Sequence, residues 1–313
     1  MSGVTIGVDV GGTTVAAGLV TADGLVLEHA QAPTHAHGAG RALETIEELL
    51  DRLRDGARAR GVAVTGVGVG VPGTVDAERG VVGVDVNYAP ELASLPLAER
   101  LRSRVEVPVF VDNDVNALVL AEWMWGAGRG ARSLVMLTLG TGVGGGIVLD
   151  GRLHRGAAGS AGELGHVPID FNGPPCVCGG RGCFKSYVSG TDIAQRGEER
   201  LGRPVVAAEV FRLAAAGQPE AEAIVEQACR ALGAGLAVIV NGLNPERLLL
   251  AGSVAKSLRP LEARIRASLA DYAFAAAIAA TRLEILSLDK DATVRGGAAL
   301  VHYETRRRRM ATS

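Results

Sequence analysis

Three cysteines lie close together in the segment Cys176-Val177-Cys178-Gly179-Gly180-Arg181-Gly182-Cys183. Thiolates at this C-x-C-x₄-C spacing indicate a structural zinc site, which needs a fourth ligand to complete a tetrahedron. His166 lies ten residues before Cys176, within reach of a loop. We therefore predict that a structural Zn²⁺ binds His166, Cys176, Cys178 and Cys183. Cys229 lies apart in a helical pattern and is predicted to be a buried core residue.

Acidic and amide side chains are concentrated in the segment Asp112-Asn113-Asp114-Val115-Asn116, which follows an apolar strand pattern. A carboxylate at the start of the next helix is ordinarily a helix cap. This segment, however, has more polar groups than one cap needs. The sequence therefore predicts that Asp114 is a general base, which removes the proton of a substrate hydroxyl.

Two glycine-rich turns have the composition of phosphate-binding loops. The first is Asp9-Val10-Gly11-Gly12-Thr13-Thr14, and the second is Leu139-Gly140-Thr141-Gly142-Val143-Gly144-Gly145-Gly146. Glycine lets backbone N–H groups approach phosphate oxygens closely, and an acid at a strand end can orient Mg²⁺ through water. The predicted nucleotide-binding residues are Asp9, Gly11, Gly12, Thr13, Thr14, Gly140, Thr141 and Gly142.

The second turn contains the pattern GxGxxG, which in dinucleotide-binding proteins is followed by a helix. Here the next residues are Ile147-Val148-Leu149, which favour a strand. The pattern GxxxxGK[ST] of P-loop NTPases does not occur in the chain. The sequence therefore favours a nucleotide held between two turns of this kind over either of those folds.

Apolar periodicity predicts the elements that position these residues. The first half of the chain has predicted strands at 4–10, 15–20, 25–30, 62–71 and 108–111, with helices at 40–60, 97–104 and 115–125. The pattern then restarts with strands at 133–139, 145–149 and 247–251, and with helices at 186–202, 207–216, 219–241 and 292–304. This repetition predicts two related α/β lobes around a cleft. The predicted lobes are 1–115 and 116–291, with a closing helix at 292–313 that packs back on the first.

Composition describes an ordinary soluble protein. Of the 313 residues 48% are hydrophobic, and the net charge of −2 provides no general attraction for nucleic acid or anionic membranes. No uninterrupted apolar run approaches the ~20 residues that cross a bilayer, and no basic leader precedes the first strand pattern. We expect a cytoplasmic protein. The four arginines at 306–309 are interpreted as a solvated helix end.

Together these motifs resemble the ROK family (repressors, open reading frames and kinases) and, within it, the bacterial glucokinases. The resemblance extends from about residue 4 to residue 302, with the motifs in family order. The matching segments are 9–13, 112–116, 139–146, Gly162-Glu163-Leu164-Gly165-His166 and the cysteine cluster, followed by Asp291-Ala292 and Gly296-Gly297-Ala298-Ala299.

The resemblance implies the actin-like ATPase (ribonuclease H-like) fold and transfer of the γ-phosphate of ATP to a hexose hydroxyl, commonly O6. It makes Asp114 the catalytic base and His166 both a zinc ligand and a sugar-binding residue. Gly252 and Ser253 fall where the family contacts adenosine. The predicted substrate-binding residues are Gly73, Asn87, Asn113, Asp114, Glu163, His166 and Lys185. The implied cofactors are ATP, Mg²⁺ and Zn²⁺, and family members are often dimers or tetramers.

Two residues depart from the family pattern. Thr14 occupies a place that is usually Lys or a similar residue. Lys185 occupies a place where family sugar kinases usually have Glu, which reaches hydroxyls at the anomeric end of the sugar. An ammonium group can only donate hydrogen bonds, whereas a carboxylate accepts them. Either a neighbouring group replaces that Glu and the substrate remains glucose-like, or the substrate is a modified sugar such as kanosamine, another amino sugar, or a C7-cyclitol.

Two other functions are weighed against a sugar kinase. A sugar-responsive repressor of the same family would carry a helix-turn-helix domain before the first phosphate loop, and Asp9 lies too near the start for one. An ATPase of the actin or chaperone type would have no dedicated sugar-binding segment. The module of Glu163, His166 and the cysteines is such a segment and argues against that alternative. We therefore predict an enzyme.

Overall fold

The computed structural model describes residues 3–86 and 89–311, which form two compact units. The first unit takes the described residues up to Gly130, together with Arg155–Ser160 and the residues from Asp289 onward. The second unit comprises Ala131–His154 and Ala161–Leu288. The chain therefore enters the first unit three times. This division differs from the predicted one, which ended the first lobe at residue 115.

The first unit is built on a five-stranded sheet in the order β3-β2-β1-β4-β7, with a separate β5–β6 hairpin. Its strands are β1 (Val4–Val10), β2 (Thr14–Val20), β3 (Val26–Pro33), β4 (Val64–Val71), β5 (Val75–Asp76), β6 (Val81–Val82) and β7 (Val109–Asn113). Its helices are α1 (Ala42–Ala59), a 3₁₀ turn (Pro90–Leu92), α2 (Leu97–Val105), α3 (Asp114–Trp125) and α11 (Ala292–Ala311).

The second unit is built on a five-stranded sheet in the order β10-β9-β8-β11-β12. Its strands are β8 (Leu134–Leu139), β9 (Val143–Leu149), β10 (Arg152–Leu153), β11 (Arg247–Ala251) and β12 (Arg282–Ile285). Its helices are α4 (Lys185–Val188), α5 (Gly190–Leu201), α6 (Ala207–Ala215), α7 (Pro219–Leu243), α8 (Ser253–Leu258), α9 (Glu262–Tyr272) and α10 (Ala275–Ala280), with 3₁₀ turns at Leu164–His166 and Arg259–Leu261.

The two sheets repeat one topology, as the sequence predicted. Counted in chain order within each sheet, the strands lie in the order 3-2-1-4-5. The first three strands of each sheet are antiparallel, and the remaining two run parallel to the first. This repeated arrangement is that of the actin-like ATPase fold.

Helix α11 approaches the first sheet so closely that only glycine fits at the contact. A Cβ at Gly297 would lie 2.5 Å from the carbonyl oxygen of Gly68 in β4 and 2.6 Å from the nitrogen of Val8 in β1. Helix α3 packs on the same helix, with the rings of Trp123 and Tyr303 6.5 Å apart at their centroids. Because α3 packs here, it belongs to the first unit rather than to the second.

Helix α7 is the core helix of the second unit. Among residues 3–86 and 89–311 it is the helix whose length and composition would suffice to cross a membrane, with a mean hydropathy of 1.6 over its most apolar window. That window is 67% buried inside the protein. Its apolar surface is therefore explained by packing against neighbouring helices, chiefly α9, α6 and α5.

Several elements differ from their predicted bounds. The predicted helix at 186–202 is two helices, because Ser189 leaves the helical conformation and caps α5 by accepting a hydrogen bond from the N–H of Asp192. Helices α8, α9 and α10 and strand β12 were not predicted from the sequence. Helix α11 continues through the arginines at 306–309 to Ala311.

Candidate active site

Strand register brings the predicted acidic residues of the first unit to one edge of its sheet. Asp9 in β1 pairs with Gly70 in β4, and Gly70 pairs in turn with Asp112 in β7. These three strands are parallel, so the turns that follow Asp9 and Asp112 leave the sheet at the same edge. Carboxyl ends of parallel strands are where α/β folds bind ligands.

Asn113, rather than Asp114, is the N-cap of α3. The Asn113 side chain accepts hydrogen bonds from the backbone N–H groups of Val115 (2.9 Å) and Asn116 (3.1 Å). Asp114 is the first residue of the helix, is half-buried, and accepts a hydrogen bond from the N–H of Val115 at 2.9 Å. The helix is thus capped by an amide, and a cap does not account for the acid at 114.

The amide of Asn113 also ties Gly73 to this turn. Its Nδ2 donates to the carbonyl oxygen of Gly73 at 3.1 Å. Gly73 has a φ of 84°, a left-handed conformation that glycine adopts without strain. The structure therefore brings together three of the predicted substrate-binding residues: Gly73, Asn113 and Asp114. Asn87 lies outside the described residues.

The first glycine turn is a tight connection between β1 and β2. Gly11 donates its N–H to the carbonyl oxygen of Thr14 at 2.9 Å. Thr34, the residue directly after β3, holds the turn, since its hydroxyl donates to the Gly11 carbonyl (2.7 Å) and its N–H donates to the Thr13 carbonyl (3.0 Å). Thr34 carries no motif signal and was not predicted.

The carboxylate of Asp9 lies in a desolvated place beside this turn. Burial raises the pKa of Asp9, and a hydrogen bond with the Thr293 side chain partly opposes that shift. Desolvation disfavours the ionised carboxylate, which a nearby cation would stabilise. The donor chemistry of Asp9 therefore fits a site near Mg²⁺.

In the second unit the second glycine turn lies against the start of helix α5. Gly190 donates its N–H to the Gly140 carbonyl at 2.7 Å, and the Thr191 hydroxyl donates to the Thr141 carbonyl at 3.0 Å. Gly252 follows β11 with a φ of 103°, and a Cβ there would lie 2.5 Å from the carbonyl oxygen of Leu139. The structure thus brings Gly252 and Ser253 beside the turn at 140–142.

Gly140 and Gly142 have no intramolecular reason to be glycine. A Cβ at either residue would have no atom within 4 Å, and neither residue has a positive φ. The backbone of this turn is therefore open to a ligand on the side where a side chain would otherwise project. Close approach of a phosphate to backbone N–H groups would account for both glycines.

The predicted zinc ligands meet in one cluster. The Nδ1 of His166 and the Sγ atoms of Cys176, Cys178 and Cys183 all lie within 4.8 Å of one another. Cys176 Sγ is 3.5 Å from His166 Nδ1, and Cys178 Sγ is 3.7 Å from Cys183 Sγ. Tetrahedral zinc with Zn–S bonds of about 2.3 Å requires sulfurs about 3.8 Å apart. The donor set and its spacing therefore fit Zn²⁺.

The thiols of this cluster perturb one another strongly. Burial disfavours ionisation of Cys176, but hydrogen bonds from Cys178, Cys183 and His166 outweigh it and lower the pKa of Cys176 to about 6. Burial together with the neighbouring Cys176 and Cys178 raises the pKa of Cys183 to about 12. Several thiolates cannot coexist at this spacing without a cation to compensate their charge.

Two side-chain hydrogen bonds hold the loop that carries the cysteines. The Tyr187 hydroxyl donates to Asp170 Oδ2 at 2.7 Å, and the Arg181 side chain donates to the Gly173 carbonyl at 2.9 Å. Burial, reinforced by the Asp170 carboxylate, raises the pKa of Tyr187 to about 12. Neither Asp170 nor Tyr187 was predicted, because their pairing joins residues 17 positions apart without a recognisable motif.

The 3₁₀ turn at Leu164–His166 carries His166 of the cluster, and Glu163 directly precedes that turn. His166 turns Nδ1 toward Cys176, while its Nε2 lies 4.0 Å from Glu163 Oε2. The Glu163 side chain is 51% exposed. One ring nitrogen of His166 thus faces the thiols and the other faces an accessible carboxylate. This geometry is compatible with the predicted double role of His166.

Lys185 forms an ion pair with Asp192, an acidic residue of the same unit. Its Nζ lies 3.0 Å from Asp192 Oδ2, and the two side chains are 13% and 21% exposed. Asp192 also accepts a hydrogen bond from the Ser189 hydroxyl in the first turn of α5. The ammonium group is therefore held beside the helix start, and its charge is compensated within the protein.

These sites define a class: an α/β protein of the actin-like ATPase fold with a strand-end acid, two glycine turns and a thiol–histidine cluster. The ROK family model matches residues 5–304. A glucokinase from Halalkalibacterium halodurans is 34% identical over 96% of this chain and 95% of the relative. The chain belongs to the ROK family.

Solved structures of related proteins match nearly the whole chain. A ROK hexokinase from Thermus thermophilus superposes with a TM-score of 0.84 at 35% identity, covering 97% of this chain and 99% of that one. A ROK family glucokinase from Streptomyces griseus, solved in complex with glucose and AMPPNP, gives a TM-score of 0.74 at 29% identity, covering 95% and 99%.

Proposed function

We propose that this protein is an ATP-dependent sugar kinase that transfers the γ-phosphate of ATP to a hydroxyl, O6, of glucose or a glucose-like hexose. The observation that carries the proposal is the Asp114 carboxylate at the junction of β7 and α3, beside a helix cap that Asn113 already supplies. Membership of the ROK family and its glucokinase relatives support the same reaction.

In this mechanism Asp114 accepts the proton of the attacking sugar hydroxyl. The hydroxyl oxygen forms a bond to the γ-phosphorus while the bond from that phosphorus to the β–γ bridging oxygen breaks, and the electron pair leaves with ADP. Asn113 and Gly73, joined by a hydrogen bond, orient the sugar beside the base. In the second unit Glu163 and the Nε2 face of His166 bind further sugar hydroxyls.

The two glycine turns and the turn after β11 bind the nucleotide in this proposal. Gly11, Gly12, Thr13 and Thr14 in the first unit, and Gly140, Thr141 and Gly142 in the second, contribute backbone N–H groups and hydroxyls to the phosphates. Gly252 and Ser253 contact the adenosine. Bound Mg²⁺, held through Asp9, would neutralise charge on the phosphates.

We propose a structural rather than catalytic zinc ion at His166, Cys176, Cys178 and Cys183. Four protein ligands leave no open coordination position for substrate. The loop that carries the cysteines is rich in glycine and exposes Phe171 and Val177 almost completely, so it has little apolar burial of its own. Metal–ligand bonds would stabilise it and fix the ring of His166.

The ion pair of Lys185 with Asp192 bears on the choice of sugar. Because Asp192 engages the ammonium group, we favour a glucose-like hexose over an amino sugar such as kanosamine or a C7-cyclitol. The proposed partners are therefore a sugar and ATP, in the cytoplasm. Assembly into a dimer or tetramer, and the absence of nucleic-acid and membrane partners, stay predictions.

Replacement of the base provides the first test. We expect Asp114→Asn to lower kcat for glucose phosphorylation by about 10²–10⁴-fold, because the amide cannot accept the proton. ADP release from Mg·ATP would be measured with glucose, mannose, N-acetylmannosamine, glucosamine, kanosamine, fructose and a C7-cyclitol. Asp55→Asn, at an exposed residue of α1, is the matched control. ADP release that ignores every sugar, or that survives Asp114→Asn, would contradict the proposal.

Because the backbone of the second glycine turn is open, a substitution there should weaken nucleotide binding without lowering the thermal stability of the protein. We expect Gly142→Ala to raise KM for ATP at least about tenfold, because the added methyl occupies the side open to phosphate, at an unchanged or slightly higher thermal midpoint. Gly242→Ala, at an equally open glycine in α7, should leave KM for ATP unchanged. An unchanged KM for ATP in the Gly142 variant would remove this turn from the nucleotide site.

The metal site predicts a stoichiometry. We expect about one zinc ion per chain by elemental analysis, and loss of that zinc with a lowered thermal midpoint in Cys176→Ser and Cys183→Ser. Cys229→Ala, in the core of α7, should keep the zinc. Protein that contains no zinc, and whose thermal midpoint does not respond to a chelator, would refute the site.

The test of Lys185 must remove its partner as well. Lys185→Glu alone would bring two carboxylates together, so we would combine it with Asp192→Asn and use Asp192→Asn alone as the control. We expect the double variant to keep the order of preference among the sugars above, with relative kcat/KM values within about threefold of the control. A shift from an amino sugar or cyclitol toward glucose would instead support the modified-sugar alternative.

A further inference from the structure

Arg155 makes a buried ion-pair network in the first unit that the mechanism above does not use. Its Nε donates to Asp112 Oδ2 at 2.7 Å, and its Nη2 lies 2.6 Å from the same oxygen. Nη2 also donates to Glu304 Oε1 of α11 at 2.7 Å. The Arg155 side chain is 16% exposed, and both carboxylates are 2% exposed.

Burial makes this network sensitive to the loss of its cation. Carboxylates removed from water require a paired charge and hydrogen bonds to remain ionised. Burial opposes the positive charge of Arg155, but the attraction of Asp112 and Glu304 outweighs it and raises the pKa of the guanidinium. Arg307 gives Glu304 a second partner, since its Nε donates to Oε2 at 2.8 Å. Among the contacts described, Arg155 is the charged partner of Asp112.

The second oxygen of Asp112 supports the turn that carries Asp114. Asp112 Oδ1 accepts hydrogen bonds from the N–H of Asn113 at 2.7 Å and from Nδ2 of Asn116 at 3.0 Å. Asn113 and Asn116 lie on either side of Asp114 in the chain, and Asn113 is the cap of α3. A guanidinium that fixes one oxygen of Asp112 therefore fixes the other oxygen against Asn113 and Asn116, which flank the base at one and two residues' distance in the chain.

We propose that Arg155 is a positioning residue for phosphoryl transfer, which acts through Asp112 to hold the Asp114 carboxylate in its productive orientation. The proposal rests on the proposed function of Asp114 as the base. In the proposed role Arg155 contacts neither the sugar nor the phosphate and acts only through Asp112. A shift of about 1 Å in a reacting group can cost about 10²-fold in rate without weakening binding.

A purely structural role would have a different signature. If Arg155 only compensated two buried acids, its loss would lower stability, and the protein that remained folded would turn over normally. Arg307 offers a matched comparison, because it is bound to the same Glu304 and to Glu78 of the first unit, whereas its contacts do not include Asp112. Its substitution perturbs the network without reaching the turn of Asp114.

The experiment compares Arg155→Lys, Arg155→Met and Arg307→Met in the full-length protein, with kcat, both KM values and the thermal midpoint measured on folded enzyme. A lysine can contact one carboxylate but cannot bridge both with a planar fork. We expect Arg155→Lys to fold and to lose about tenfold to hundredfold in kcat, with KM for glucose and ATP within about threefold. Arg155→Met should lose more, and Arg307→Met should keep kcat within about twofold.

A double-mutant cycle separates this proposal from the proposed function. If Arg155 acts through Asp114, then Arg155→Lys should cost almost nothing further in an Asp114→Asn background. Losses that multiply in the double variant would overturn the proposal, as would a kcat of Arg155→Lys within twofold of the parent or an equal kcat loss in Arg307→Met. If Asp114→Asn alone left turnover intact, the proposed function would fail first.

Discussion

Burial of a charged residue at the end of β7 is the constraint on which the acidic site depends. Asp112 lies in β7, the last strand of the first sheet, with a side chain 2% exposed, and a buried carboxylate requires hydrogen bonds and a paired charge. The strand end, the first turn of α3 and a residue from a distant part of the chain supply those partners. These hydrogen bonds hold the turn that carries Asp114.

The two units share one topology but carry different chemical groups at the corresponding edges of their sheets. In the first, the edge after the parallel strands carries acids and a helix cap. In the second, the corresponding edge carries an open glycine turn, and the loop that follows β10 carries thiols. The shared strand order places both the acids of the first unit and the glycine turn of the second at the same end of a sheet. The chemistry then depends on a few residues in each turn.

Sequence reasoning found the elements with strong periodicity and the residues within motifs. Strand β11 was predicted at its observed bounds, the two glycine segments form turns between strands, and the three thiols lie together with His166. It missed β12 and α10, since Arg282–Ile285 is only four residues long and Ala275–Ala280 is nearly all alanine, without an apolar period. The partners of the site residues were missed for another reason. Arg155 is 43 residues from Asp112 and 149 from Glu304, and such pairings leave no local pattern.

The position of α11 in the chain, after the whole second unit, has a consequence for biosynthesis. Strands β1 and β4 present glycines to a helix that is synthesised more than two hundred residues later, with the whole second unit in between. During synthesis, the face of the first sheet that α11 covers therefore stays uncovered while Ala161–Leu288 is synthesised. That segment can form the contacts of the second unit before α11 has left the ribosome. The unit whose synthesis begins first is thus the one whose core is completed last. During that interval the exposed apolar face of the nascent first unit is prone to aggregation.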